Sequence, residues 1–112
     1  MLEINENGQH FKVLAISDNF AGRYKFAEVS CIGEGGELPS IHQLQLISKY
    51  KKELSKMTGT NLTEWFWTNV SQLDENGQPT GLKAAVRFWS KGTSVDYFGE
   101  KCFRCICVIK NL

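Results

Sequence analysis

The chain has 112 residues, a length that suits one domain and leaves no room for two. Its 13 basic and 12 acidic residues give a formal net charge of +1, and no segment concentrates the basic ones, which argues against nucleic-acid binding. No apolar run approaches the ~20 residues of a membrane helix, and the first residues lack a signal peptide's apolar centre. We therefore expect one domain over residues 1–112, with its core within 11–109, that does not insert into a membrane.

The first half of the chain is predicted to begin with a strand and a helix. Residues 11–16 are an apolar run of strand length. Apolar side chains then recur at helical spacing, at Phe20, Tyr24, Ala27 and Cys31. This stripe predicts a first helix over residues 19–32, with Gly33 as the left-handed residue that ends it.

A second helix is predicted to begin after Ser40. Ser40 is a favourable N-cap, and Gln43 three residues later completes a capping box. Residues 58–60 (TGT) are expected to end this helix. Its apolar positions are Ile41, Leu44, Ile47 and Leu54. The neighbouring lysines lie mostly away from that face, as expected of a solvated helix surface.

The second half is predicted to be a series of strands, over residues 65–70, 82–89, 93–98 and 102–109. Asn76 and Gly77 form a strong turn signal between the first two of these strands. Helices followed by strands favour an α+β fold, with two helices packed on a small, mainly antiparallel sheet.

Several short segments occur in the order found in a known family. They are Ala27 with Cys31, and residues 35–40, 67–69, 84–88 and 103–105. GGELPS resembles the GGWRLPT turn, and FRC resembles the closing R-C-V-R strand, of bacterial C-type-lectin-like domains. The resemblance is to the uncharacterised family typified by the C-terminal domain of a bacterial collagen-like adhesin. Formylglycine-generating enzymes share the wider fold. Glu37 and Cys107 depart from the pattern, because arginine is usual at both positions.

The resemblance implies a two-helix domain with its termini close together and variable loops on one side. In the wider fold such loops often bind glycans or proteins. The family pattern also implies a disulfide between Cys31 and Cys105, and an exported, cell-surface location as part of a longer chain. Counting alone leaves three pairings open for the four cysteines.

Strand alternation places Cys105 and Cys107 on one face and Cys102 on the other. The three can reach one metal only through a bend, and neither His10 nor His42 has the spacing of a ligand pair. We therefore expect one disulfide with buried free thiols, and neither a metal site nor a cofactor.

Catalysis is not indicated, because no histidine has an orienting carboxylate near a candidate nucleophile. Asp74 and Glu75 are adjacent in a loop and offer oxygens for calcium, but the calcium-lectin motifs are incomplete around Pro79 and Asn69. A formylglycine-generating type of enzyme is therefore disfavoured, and no catalytic residue is assigned.

The first hypothesis is a non-catalytic recognition or adhesion module of an exported bacterial or phage-related protein, with an unknown protein or glycan ligand. The alternative is a structural or assembly domain of a larger surface protein or fibre. The ligand site is predicted on segments 74–80 and 91–99, with Trp89, Tyr97, Asp74 and Lys91 as its residues. Exposed aromatic side chains are good contacts for proteins and sugars.

Overall fold

A computed structural model describes residues 2–17 and 22–110 of the chain. The elements in chain order are β1 (Leu2–Glu6), β2 (Gln9–Ile16), α1 (Tyr24–Gly33), α2 (Ile41–Ser48), α3 (Lys51–Thr58), β3 (Trp65–Leu73), β4 (Pro79–Phe88), β5 (Thr93–Phe98) and β6 (Ile106–Lys110). The described residues thus form three helices and two antiparallel sheets, ordered β1-β2-β6 and β3-β4-β5. The predicted α+β class is confirmed at this level.

The first sheet begins with a hairpin that the sequence pattern does not predict. Asn7 and Gly8 have positive φ angles of 51° and 75°, as a two-residue hairpin turn requires. Strand β1 pairs with β2, and β2 pairs with β6, so strands near both ends of the chain share one sheet. Only Ile4 of β1 is fully buried, which explains why the apolar pattern of this strand is weak.

Helix α1 begins later than predicted. Gly22 pairs with Phe103 in an isolated bridge, so the helix starts at Tyr24 rather than at 19. Residues 18–21, which include the predicted helix start and Phe20, lie outside the described residues. The helix ends at Gly33, but the left-handed residue is Gly35, with φ of 85°. Ala27 and Cys31 are buried, as the stripe predicts.

The predicted second helix is two helices. Ser40 and Gln43 form the expected capping box at the start of α2, with hydrogen bonds of 2.8 and 3.1 Å. The helix stops at Ser48, and Tyr50 leaves helical geometry before α3 begins. Gly59, with φ of 72°, ends α3 where the sequence predicts.

The second sheet has β4 at its centre, covered on both faces. One face contributes Phe66, Val86 and Phe88 to a core cluster with α2 and the first sheet. The other face contributes Trp67 and Ala85 to a cluster with α1 and the last strand. The prediction for 93–98 is confirmed, whereas the strand predicted at 102–109 begins only at Ile106. None of the helices among the described residues is long and apolar enough to cross a membrane.

Gly36 is packed so closely that a side chain is expected to be costly there. A Cβ at this position would lie 2.5 Å from the Val108 carbonyl oxygen and 2.7 Å from Leu14 Cδ1. The Gly36→Ala substitution must therefore push the turn before α2 away from β6. We expect it to lower the free energy of unfolding by about 2 kcal/mol.

Urea denaturation of Gly36→Ala, with Gly33→Ala as its matched control, checks this expectation. A Cβ on Gly33 meets no atom within 4 Å, so its substitution is expected to change stability little. Equal stability of the two variants would show that the turn can move without cost.

Candidate functional site

A pocket of about 340 Å³ lies where the start of β3 faces the end of β4. Trp65 and Arg87 are cross-strand partners at this point. The loop before β3 and the segment before β6 complete the wall. The lining residues are Thr63, Glu64, Trp65, Arg87, Cys102, Phe103 and Arg104. We call this cavity the Arg87 pocket.

Aromatic rings form one wall of the Arg87 pocket. The Trp65 ring stacks on Phe103 with centroids 5.9 Å apart, and it meets Phe98 edge-on at 4.9 Å. Phe103 also contacts the buried Trp67 at 4.9 Å. These rings are held by their neighbours, so the pocket offers a fixed apolar surface to a ligand.

Arg104 holds the pocket's back wall rather than offering a free charge. Its side chain is only 6% exposed, and its Nε donates a 2.9 Å hydrogen bond to the Ser17 carbonyl oxygen. Its Nη2 donates to the same oxygen, and its Nη1 lies 3.2 Å from a carboxylate oxygen of Glu64. A buried guanidinium with these partners mainly fixes the segment before β6.

Arg87 has a different environment. Its guanidinium lies over the Trp89 ring, with the Arg87 Cζ 4.0 Å from the ring centroid. Within the described residues no carboxylate lies within 4.0 Å of Arg87, and its buried Nε has no hydrogen-bond partner. A cation on an aromatic ring without a carboxylate partner retains donors for an anionic group.

Trp89 connects the Arg87 pocket with a second depression of about 550 Å³. Its indole Nε1 donates a 2.7 Å hydrogen bond to Ser94 Oγ, which fixes the ring although it is 41% exposed. The second depression is lined by Lys49, Lys51 and Lys52 of the α2–α3 segment. Lys51 also donates to the Trp89 carbonyl oxygen. The surface around Trp89 is therefore positively charged.

The structure does not bring the predicted site residues together. Asp74 lies in the β3–β4 turn, whereas Trp89 and Lys91 lie at or next to the β4–β5 turn. These turns are at opposite ends of the ten-residue strand β4, about 30 Å apart. Both Asp74 and Lys91 are exposed. Asp74 therefore lies far from Trp89 and Lys91, whereas Phe98 of segment 91–99 pairs with Lys83 near the β3–β4 turn.

Asp74 and Tyr97 both lie away from the Arg87 pocket. One Asp74 carboxylate oxygen accepts 2.9 Å hydrogen bonds from the backbone N–H groups of Asn76 and Gln78, so it shapes the turn. Tyr97 is opposite Ala84 on β5 and 36% exposed. Strand alternation places it on the sheet face opposite to Arg87.

The disulfide joins α1 to the last strand, but its partner residue differs from the one that the family resemblance implies. Cys31 is bonded to Cys107, with Cα atoms 5.1 Å apart, and not to Cys105. The predicted Cys31–Cys105 bridge is thus wrong in this structure. Cys105 and Cys107 both point into the core, as strand alternation predicts, so two thiols compete for Cys31 and Cys107 is the one bonded. Cys102 is free and exposed on the pocket wall.

No protein-family model matches the chain, and a search of the curated proteins finds no match.

Proposed function

We propose that the chain is a C-type-lectin-like recognition domain of an exported bacterial or phage-related protein, and that it binds an acidic glycan in the Arg87 pocket. The observation that carries this proposal is the unpaired Arg87 guanidinium stacked on Trp89 beside an aromatic wall. The domain is proposed to act by binding alone, with no catalytic residue.

The chemistry of the pocket suits an acidic sugar. The C–H face of a sugar ring packs on an indole. Arg87 has two indoles beside it, because Trp65 is its cross-strand partner and its guanidinium lies over the Trp89 ring. A carboxylate or sulfate accepts paired hydrogen bonds from a guanidinium such as that of Arg87. Lys51 and Lys52 extend the positive surface beyond Trp89, where further acidic sugar units of a chain can lie.

Three features of the fold support the lectin-like part of the proposal. The Gly36 turn lies between α1 and α2 and pairs with β6 through a bridge between Glu37 and Val108. A disulfide joins α1 to the last strand. Strands near both ends of the chain share one sheet, which brings those ends together as the resemblance implies.

A structural or assembly role is the second candidate, and the outer face of α1 favours it. Phe26, Val29 and Ile32 follow one another at helical spacing and are 56%, 57% and 64% exposed. An exposed apolar stripe of this kind is suited to packing against a neighbouring domain or copy. This stripe is distinct from the Arg87 pocket, so the two candidates can be tested separately.

Binding of acidic and neutral oligosaccharides, measured by calorimetry, tests the proposed glycan site. We expect a sulfated or uronic-acid oligosaccharide to bind, and a neutral oligosaccharide of equal length to bind much more weakly. Arg87→Gln is expected to weaken binding about tenfold or more, because a charge-assisted pair is lost. Arg23→Gln, the same change at the exposed residue just before α1, is the matched control.

Cys102 provides a second, local measurement. Its thiol is exposed on the pocket wall, whereas the other free thiol, Cys105, is buried. A ligand in the Arg87 pocket is therefore expected to slow the alkylation of Cys102. The proposal fails if acidic and neutral sugars bind equally, if Arg87→Gln behaves like Arg23→Gln, or if bound sugar leaves Cys102 alkylation unchanged.

A further inference from the structure

Three sulfur atoms meet in the core cluster between α1 and the second sheet. The Sγ atoms of Cys31, Cys105 and Cys107 all lie within 4.8 Å of one another. Two of them form the disulfide, and Cys105 keeps a free thiol. The three residues are 0%, 5% and 2% exposed, so external thiols do not easily reach them. We call this group the three-sulfur cluster.

We propose that the three-sulfur cluster is an internal thiol–disulfide exchange site, in which Cys31 bonds alternately to Cys107 and to Cys105. The Cys105 thiol loses its proton to a base in the solvent, and the thiolate attacks Cys31 Sγ. A Cys31–Cys105 bond forms as the Cys31–Cys107 bond breaks, and the Cys107 thiolate that leaves takes up a proton. One disulfide and one thiol are present before and after, so no oxidant or reductant is consumed.

The sulfur atoms of Cys105 and Cys107 both lie within 4.8 Å of Cys31 Sγ. Cys107 lies in β6 opposite Ala15, whereas Cys105 lies just before the strand. Cys105 is held by reciprocal hydrogen bonds with Ser17, of 2.9 and 3.0 Å. Since both cysteines point toward α1, the exchange requires side-chain rotation of the three cysteines and not a change of strand register.

The rate of exchange is expected to depend on pH, because only the thiolate attacks. Burial raises the pKa of the Cys105 thiol, Ser17 and Arg104 act in the opposite direction, and Glu34 adds to the increase. Tyr24 of α1 also packs against the cluster, and its own pKa is raised to about 12, so it stays neutral. Strands β3 and β4 contribute Trp67 and Ala85 to this part of the core, and neither side chain titrates.

The experiment uses Cys102→Ser protein, which removes the exposed thiol and leaves the three-sulfur cluster. Its disulfide isomers are separated at acid pH, where exchange stops, and each is returned to native buffer at several pH values. Samples are alkylated over time and mapped by mass spectrometry. We expect both isomers to reach the same mixture, about tenfold faster for each pH unit below the pKa of Cys105.

Two variants that leave Cys31 only one possible partner make the test independent of refolding after the separation. Cys102→Ser with Cys107→Ser is expected to form a Cys31–Cys105 bridge on oxidation. Cys102→Ser with Cys105→Ser keeps the Cys31–Cys107 bridge and is the control. Failure of the first variant to form its bridge while the control forms its own would overturn the proposal. So would isomers that persist unchanged at alkaline pH, or a single isomer under all conditions.

Discussion

Replacing Cys31 with Ala is expected to lower the free energy of unfolding by about 4 kcal/mol in the oxidised protein. The bridge to Cys107 spans 76 residues, so it removes much chain entropy from the unfolded state. Cys31 is the one member of the three-sulfur cluster that takes part in both proposed pairings. Its loss therefore leaves α1 with no disulfide to the last strand. Urea denaturation followed by circular dichroism measures the change.

Measurements in a reducing agent separate the contribution of the disulfide to stability from that of side-chain packing. In urea with reductant the parent protein loses the bridge as it unfolds, so most of the difference between it and Cys31→Ala should disappear. Cys102→Ala removes an exposed thiol outside the disulfide and is expected to be nearly neutral. A difference that persists in full under reductant would assign the effect to core packing at Cys31, which is completely buried.

The Cys107→Ala variant tests whether Cys105 can replace Cys107 as the disulfide partner of Cys31. If Cys105 can replace Cys107, this variant keeps a disulfide and loses less stability than Cys31→Ala. Equal losses in the two variants would mean that Cys105 does not form a bridge in the folded protein. This comparison needs no separation of isomers, and it tests the exchange proposal without affecting the glycan proposal.

Features set by neighbouring residues were well predicted from the sequence. The capping box of Ser40 and Gln43 is a contact between residues three apart, and it forms as expected. Gly59 ends α3 in the left-handed conformation. The strand at 93–98 has the predicted bounds. In each case the physical cause lies within a few residues, so a local pattern contains it.

The failures have causes that lie far apart in the chain. The break between α2 and α3 falls within an apolar pattern that continues across it, and Tyr50 there donates a 2.6 Å hydrogen bond to Glu6 of β1. Strand β1 has one fully buried residue, and its pairing with β2 makes it a strand. Neither contact is visible to a search for periodicity.

In the candidate site, too, local features could be predicted from the sequence, and contacts between distant residues could not. Trp89, a predicted ligand-site residue, is 41% exposed. Arg87 is not among the predicted residues, although it lies two residues before Trp89 and its guanidinium lies over that ring. That spacing of a cation and an aromatic residue on a strand was the available signal. Its meeting with Trp65 depends on the β3–β4 register, which the sequence alone does not supply.

Trp67 is expected to give the second large loss of stability. The ring is fully buried, and its Nε1 donates a 2.8 Å hydrogen bond to the Gly22 carbonyl oxygen. It also meets Tyr24 edge-on at 5.8 Å, so it joins α1 to the second sheet. We expect Trp67→Ala to lower the free energy of unfolding by about 4 kcal/mol, and Trp67→Phe by about 2 kcal/mol.

The smaller change at Trp67 keeps this prediction measurable even if the alanine variant does not fold. Phe retains most of the ring but cannot donate to Gly22, whose carbonyl oxygen still accepts from the Phe103 N–H at 3.0 Å. Trp89→Ala is the control, because that ring is partly exposed and its loss should affect binding more than folding. A Trp67→Ala protein as stable as Trp89→Ala would place Trp67 outside the core. The same result would remove the support behind Phe103, which stacks on Trp65 in the wall of the Arg87 pocket.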